Sequence, residues 1–213
     1  MDFRYFKNTI DKLSQASLGG LEAQLTLAPE ITSRYPFPIA SKTNPKKAAV
    51  LALFYPDKKG DTTFLLTQRA DYKGLHSKQI SFPGGKYQDN DGQLRHTALR
   101  ETQEEVGVKC SDIWLFKKMT RLYVPPSHFL VSPYLGVIDY RPHFVKNKEV
   151  SKLIEVPLQA LMNHRHIDHT TIYKADREVK VPCFVFKEYP VWGATAMMLS
   201  EIRALIAPFN KVL

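Results

Sequence analysis

Residues 84–107 read GGKYQDNDGQLRHTALRETQEEVG, and the placing of glycines and acids in this stretch decides how the rest of the chain is read. Nothing from Leu94 to Val106 interrupts a helix, and Gly107 is a natural C-terminal stop. On that helix Glu101 and Glu105 are one turn apart and Glu104 lies beside them, so three carboxylates share one neighbourhood. Like charges at this spacing repel, and they sit toward the C-terminal end, where the helix dipole disfavours them. Leu94, Ala98, Leu99, Thr102 and Val106 supply a surface to bury. A solvated acidic face is the plain reading, and a divalent cation held against the helix is the functional one. Arg100, available to brace a carboxylate, and the preceding Gly84 and Gly85 favour the cation.

Hard carboxylate oxygens suit Mg²⁺ or Mn²⁺, which bind a few such groups and keep water and substrate phosphate in their remaining positions. The chemistry implied is metal-assisted hydrolysis of a phosphoanhydride. Gly84 and Gly85, after Phe82 and Pro83, let the backbone approach the metal closely, either contributing a carbonyl or positioning the helix.

The chain of 213 residues is long enough for one packed domain with extensions and short for two. A net charge of +9 favours anionic partners, whether phosphorylated small molecules, nucleic acid or anionic lipid, although the lysines and arginines are scattered rather than gathered in one run. Two cysteines, Cys110 and Cys183, provide neither a disulfide framework nor a CxxC pair. The first twenty residues lack a signal-type apolar stretch, and no run approaches the roughly 18 apolar residues of a membrane span. A soluble cytoplasmic protein is expected.

Phe3, Phe6, Ile10 and Leu13 recur at helical spacing, so the N-terminal segment is expected to be an amphipathic helix ending at Gly19 and Gly20 and docked on the core. A proline-rich connector follows from Pro29 to Pro45. KAAVLALFY and TTFLLTQR, separated by PDKKGD, read as paired strands. Further strands are expected at 113–123, 129–138, 169–174 and 180–186, with ADRE turning between the last two, and helical spacing returns from Trp192 to Leu205. The pattern predicts an α+β domain layered α/β/α, with mixed strand pairing. The expected division is 1–46, a helix and connector packed on the core, and 47–213, the catalytic domain.

The stretch Gly85…Arg100-Glu101-Thr102-Gln103-Glu104-Glu105-Val106-Gly107-Val108 resembles the signature box of Nudix hydrolases, in its loop–helix–loop form. The match is complete in the tail. Upstream, the family's glutamate eight residues before the arginine is Gly92 here, and Asp91 is the acid that stands in. LLTQRA at 65–70, HSKQISFPGG at 76–85 and YPVWGATAMML near the C-terminus resemble the coenzyme A pyrophosphatase branch, so the likeness spans about residues 47–205. The resemblance implies a Nudix fold with a mixed sheet between helices, a Mg²⁺ or Mn²⁺ cofactor, and cleavage of coenzyme A or its thioesters to 3′-phospho-AMP and 4′-phosphopantetheine. It maps Glu101 and Glu105 onto the principal metal ligands, Glu104 onto a third or water-mediated one, and Arg100 onto the bracing arginine. Gly85 joins the metal set, while Glu104, Arg100 and Glu149 are assigned to catalysis, with Glu155 second to Glu149 as a late-loop acid.

Two positions depart from that branch: its arginine is Gly74 here and its glycine is Lys78. Losing a planar, bidentate phosphate donor leaves Arg69, Lys73 and Lys78 to read phosphate, with Phe82 beside them as a substrate contact. ADP-ribose, NADH or dinucleoside polyphosphates are therefore alternative substrates, and a non-catalytic nucleotide- or nucleic-acid-binding module is the alternative of another class. All three glutamates are present and no nucleic-acid-reading motif accompanies the charge, so the expected partner is a small phosphoanhydride, with neither nucleic acid nor membrane; a homodimer is left open. His164, His166 and His169 lack a fourth ligand of zinc pattern and read as a solvated turn. Tyr123 to Phe129 reads equally as a pocket wall or as a turn between strands.

Overall fold

The computed structural model describes residues 1–30, 44–70, 79–174 and 177–210. The chain runs α1 (Phe3–Gln15), α2 (Gly20–Leu25), β1 (Lys46–Pro56), β2 (Thr62–Arg69), β3 (Ile80–Ser81), β4 (Gly84–Lys86), α3 (Leu94–Val106), β5 (Trp114–Lys118) and β6 (Leu122–Val124). It continues through β7 (Phe129–Val137), β8 (Val150–Pro157), α4 (Leu158–Met162), β9 (Ile167–Lys174), β10 (Arg177–Phe186), β11 (Tyr189–Trp192) and α5 (Gly193–Ile206).

Strand β1 is apolar on both faces because both are covered. Its Ala49, Leu51, Leu53 and Tyr55 pack with Ala98 and Val106 of α3, while Ala48, Ala52 and Phe54 join Phe6, Ile10 and Leu13 of α1 and Leu199, Ile202 and Leu205 of α5. The strand period of two thus divides one run between two cores. Beside β1, β7 is parallel and β2 and β4 are antiparallel; β3 and β8 pair with β2, and β5 and β6 with β7. A second, three-stranded sheet is ordered β11-β10-β9. This is the α+β, α/β/α-layered arrangement with a mixed sheet that the pattern predicts.

Helix α1 begins where the Asp2 side chain accepts the Tyr5 N–H at 2.9 Å, and it buries Phe3, Phe6, Ile10 and Leu13 as the spacing requires. It ends at Gln15, not at the glycines. Gly20, at φ +62°, instead begins α2, which packs along α5. The single strand expected over 113–123 is two, because the chain leaves the β7 edge after Lys118 and rejoins it at Leu122. Strand β8 was not expected. Val150, Ile154 and Val156 are buried, but Lys152, in step with Ile154 and Val156, is exposed, and Glu155 on the other face is taken up by Tyr55 and Arg141, so the apolar alternation is broken. The tip of the turn expected at ADRE and most of the proline-rich connector lie outside the described residues. Among those described, no helix is long and apolar enough to cross a membrane.

Candidate active site

Helix α3 follows an extended Gln93 and stops at Gly107, whose φ of +76° closes it in the left-handed conformation. Strand β4 runs beneath it. At Gly84 an added Cβ would lie 2.4 Å from the Ala49 carbonyl oxygen and 2.6 Å from the Val50 Cα, so the β1–β4 approach requires glycine. At Gly85 the obstacle is different: a Cβ there would stand 2.5 Å from the Glu101 Cδ. The bare Gly85 Cα makes the space that the Glu101 carboxylate occupies.

Glu105 is 4 % exposed, and its Oε2 accepts the Gly84 N–H at 3.1 Å. Burial pushes its carboxyl up to about 7, against the opposing pull of that N–H and of Arg69, and Glu101 and Glu149 push in the same direction as burial. Burial likewise raises Glu101, with Arg100 opposing and the charges of Glu104 and Glu149 adding to the rise. Glu101, Glu105 and Glu149 therefore act on one another electrostatically.

Arg100 is the hub. Its Nε donates to Asp91 Oδ1 at 2.7 Å and one terminal nitrogen to Asp91 Oδ2 at 3.0 Å; the other reaches Glu101 Oε1 at 2.9 Å and Glu104 Oε2 at 3.2 Å. The planar guanidinium makes this fork in a way lysine cannot. Asp91 is buried and also accepts from Thr97 Oγ1 and the Gln88 N–H, so Arg100 holds its carboxyl well below the usual range. The departure upstream in the box thereby has a structural account. A short helical turn at Asp89–Asp91 and Gly92, at φ +66°, accommodate the displaced acid, which still reaches the arginine.

Glu149 comes from a distant segment pinned to the end of α3. Phe144 packs edge-on against Tyr55 at 5.2 Å, the Val145 N–H donates to the Val106 carbonyl, and the Asn147 N–H donates to the Glu105 carbonyl. The Ala70 N–H then donates to the Glu149 carbonyl at 2.8 Å, and Arg69 reaches the Glu149 carboxylate at 4.0 Å.

Other expected residues stand elsewhere. Phe82 is 1 % exposed and packs toward Phe64 at 6.4 Å, so it is a core side chain out of a substrate's reach. Lys73, Gly74 and Lys78 lie outside the described residues. Glu155 is taken up by Tyr55 Oη at 3.0 Å and Arg141 at 2.7 Å. His164 meets Arg203, His166 meets the Val185 carbonyl, and His169 lies in β9. The Pro125–Ser127 stretch is a tight turn between β6 and β7, closed by Tyr123 Oη and His128 Nδ1 at 2.7 Å.

Glu101, Glu104, Glu105 and Gly85 were expected to share one cation. In the structure they are neighbours, but Arg100 draws Glu101 and Glu104 to itself while Glu105 turns to Gly84. Among the described residues, no three His, Cys, Asp or Glu side chains form a ready cation cage. The donor set nevertheless fits a hard divalent ion: one carboxylate is buried and one partly buried, and each is raised chiefly by burial and further by acidic neighbours. Among the described residues Glu104, 54 % exposed at its side chain, is held only by its 3.2 Å pair with Arg100. The motif did not point to a groove of about 680 Å³ next to Glu101, bounded by Lys46, Lys47, Lys86 and Tyr87. The Lys-Lys pair opening β1 and the lysine after Gly85 were its only trace in the sequence.

Residues 45–176, a range that contains β1 through β9, match the NUDIX domain. The chain belongs to the Nudix family. A Nudix hydrolase of Yersinia pestis (strain Pestoides F), described as uncharacterized NudL, is 29 % identical over 168 residues, covering 78 % of this chain and 82 % of its own. The Nudix hydrolase RenU of M. smegmatis superposes with a TM-score of 0.54 at 16 % identity over 79 % of this chain and 89 % of its own. The Nudix domain of Shewanella oneidensis NrtR, solved with ADP-ribose, gives 0.51 at 16 % over 82 % and 96 %. These structures share the fold with this chain. As a Nudix hydrolase it is an enzyme acting on nucleoside-diphosphate-linked substrates, in a family that generally uses divalent metal ions.

Proposed function

We propose that this Nudix hydrolase cleaves the phosphoanhydride of coenzyme A or its thioesters, releasing 3′-phospho-AMP and 4′-phosphopantetheine, and that the ion is Mg²⁺ or Mn²⁺. One observation carries the reading. The strand bearing LLTQRA ends with Arg69 within 4.0 Å of the Glu149 carboxylate, and the segment that presents Glu149 is bonded through the Asn147 N–H to the Glu105 carbonyl, so the coenzyme A-like element adjoins the end of the glutamate helix.

Glu101 and Glu105, with Glu104 turning in, would hold the ion beside the Gly85 backbone. When bound, it supplies charge neutralisation for the phosphoanhydride and acidifies a water. Arg100, fixed by Asp91, keeps Glu101 aimed past Gly85 rather than into solvent. Glu149 accepts a proton from the attacking water, at the end of a segment held rigid by its bonds to Val106 and Glu105. Arg69 meets substrate phosphate.

Product masses after incubation with coenzyme A and Mg²⁺ or Mn²⁺ test the reading, with ADP-ribose and NADH in parallel. Metal-dependent 4′-phosphopantetheine that disappears with chelator is expected. Cleavage of ADP-ribose or NADH alone would keep the hydrolase chemistry and discard coenzyme A.

A further inference from the structure

The groove beside Glu101 is built by strand register. In the β1–β4 pair, Ala48 faces Lys86 and Ala49 faces Gly85, and one step further the Tyr87 N–H donates to the Lys47 carbonyl at 2.9 Å. Lys47 and Tyr87 therefore share the face of Ala49 and Gly85, the face against which Glu101 stands, two residues or roughly 7 Å along the strand. The Lys47 Nζ lies 5.9 Å over the Tyr87 ring. Lys46 and Lys86 occupy the alternate positions and frame the other rim, with the Lys46 Nζ 6.0 Å over Phe129.

Lys46, Lys47 and Lys86 line this groove together with two acids, Glu101 and Asp89, and of the three lysines Lys47 is the one on Glu101's face. Among the described residues no ion pair joins Lys46, Lys47 or Lys86 to an acid. With Glu101 committed to a cation, the remaining charge is strongly positive and the aromatic wall is Tyr87. The groove is open to solvent, and its volume of about 680 Å³ falls within the range of small-molecule sites.

We propose that this groove is the subsite for a phosphomonoester on the nucleoside half of the substrate, occupied while the phosphoanhydride lies against Glu101 and Glu105. Lysine binds phosphate as a compact point charge on a flexible stem, so it can follow a dianionic phosphomonoester without a fixed fork geometry. The proposal rests on the hydrolase reading for the placing of the phosphoanhydride, and it supplies a source of phosphate recognition other than the arginine replaced by Gly74.

Calorimetric titration separates the two claims. Wild-type protein is titrated with 3′-phospho-AMP and with AMP, which differ by the phosphomonoester alone, and the same is done for Lys47→Ala/Lys86→Ala and for Lys47→Arg/Lys86→Arg. Wild type is expected to prefer 3′-phospho-AMP by roughly tenfold, at about threefold for each of Lys47 and Lys86. The alanine pair should lose that preference and the arginine pair keep it, and raised salt should erode it. The KM of the alanine pair should rise about tenfold more for coenzyme A than for dephospho-coenzyme A, with kcat moving little. Equal wild-type affinities, or a preference that survives in the alanine pair, would overturn the subsite whatever the turnover. An intact, lysine-dependent preference without hydrolysis would support the subsite and sink the hydrolytic reading of coenzyme A.

Discussion

The Glu101 carboxylate fills the space a side chain at Gly85 would need: a β-carbon there would lie 2.5 Å from its Cδ and 2.6 Å from each oxygen. The obstructing atoms are the far end of a flexible side chain, so Gly85→Ala is accommodated by turning Glu101 away. Folding survives and placement does not. We expect kcat/KM to fall about 100-fold, as misplacement of a reacting group by about 1 Å implies, with a small change in Tm. Gly84→Ala should behave in the opposite way. Its β-carbon meets backbone at 2.4 Å with φ at +153°, so stability should drop by more than about 2 kcal/mol. Thermal melts alongside kinetics distinguish the two variants.

Glu101→Gln and Glu105→Gln remove charge with little change in volume, and each should lower turnover by about 10³-fold. Wild-type turnover in either would refute its role as a metal ligand.

Glu105 also carries a stability signature in metal-free protein. Its folded value of about 7 lies above the ordinary 4.5, so the folded state holds the proton more tightly, and stability is lost as pH rises from about 4.5 through about 7. In the presence of chelator, Glu105→Gln should therefore be the more stable protein at pH 8, by about 3 kcal/mol, with the advantage gone below pH 4.5. Urea unfolding at the two pH values measures it.

Asp91 works in the other direction. Arg100 depresses its carboxyl, so the pair contributes stability above the ordinary carboxylate range, and this is lost as pH falls through the lowered folded value. Asp91→Asn should cost about 2 kcal/mol at pH 7 and flatten the acid limb of the stability curve. Activity should fall too, because Arg100 loses the anchor that aims Glu101. Arg100→Ala should lower both activity and Tm.

Away from the site, Glu201 of α5 is fully buried and accepts the Gly20 N–H at 3.1 Å and the Gln24 side-chain N–H at 3.0 Å, clasping α2. Glu201→Ala strands both donors, so a loss of about 3 kcal/mol is expected from denaturant titration, with kcat within about twofold of wild type.

Local signals in the chain were enough for α3 from Leu94 to Val106, for α1's buried face, for β1 and β2, and for the family to which the chain belongs. Each rests on periodicity or on spacing within one helix, which neighbouring residues determine among themselves. Tertiary structure decided what depends on distant partners. Strand β8 was hidden because Lys152 stands exposed in step with Ile154 and Val156, and because Glu155 is satisfied by Tyr55 and Arg141, partners distant in sequence. Phe82, next to the glycines, is a core residue because β3 and β4 turn its ring toward Phe64. The segment carrying Glu149 is brought to the end of α3 by backbone bonds from 145 and 147, and the Lys47–Tyr87 pairing exists only through the β1–β4 register. The carboxylates of the candidate site were therefore legible in one helix, whereas their burial and the basic groove come from segments far apart in sequence that chain packing brings together.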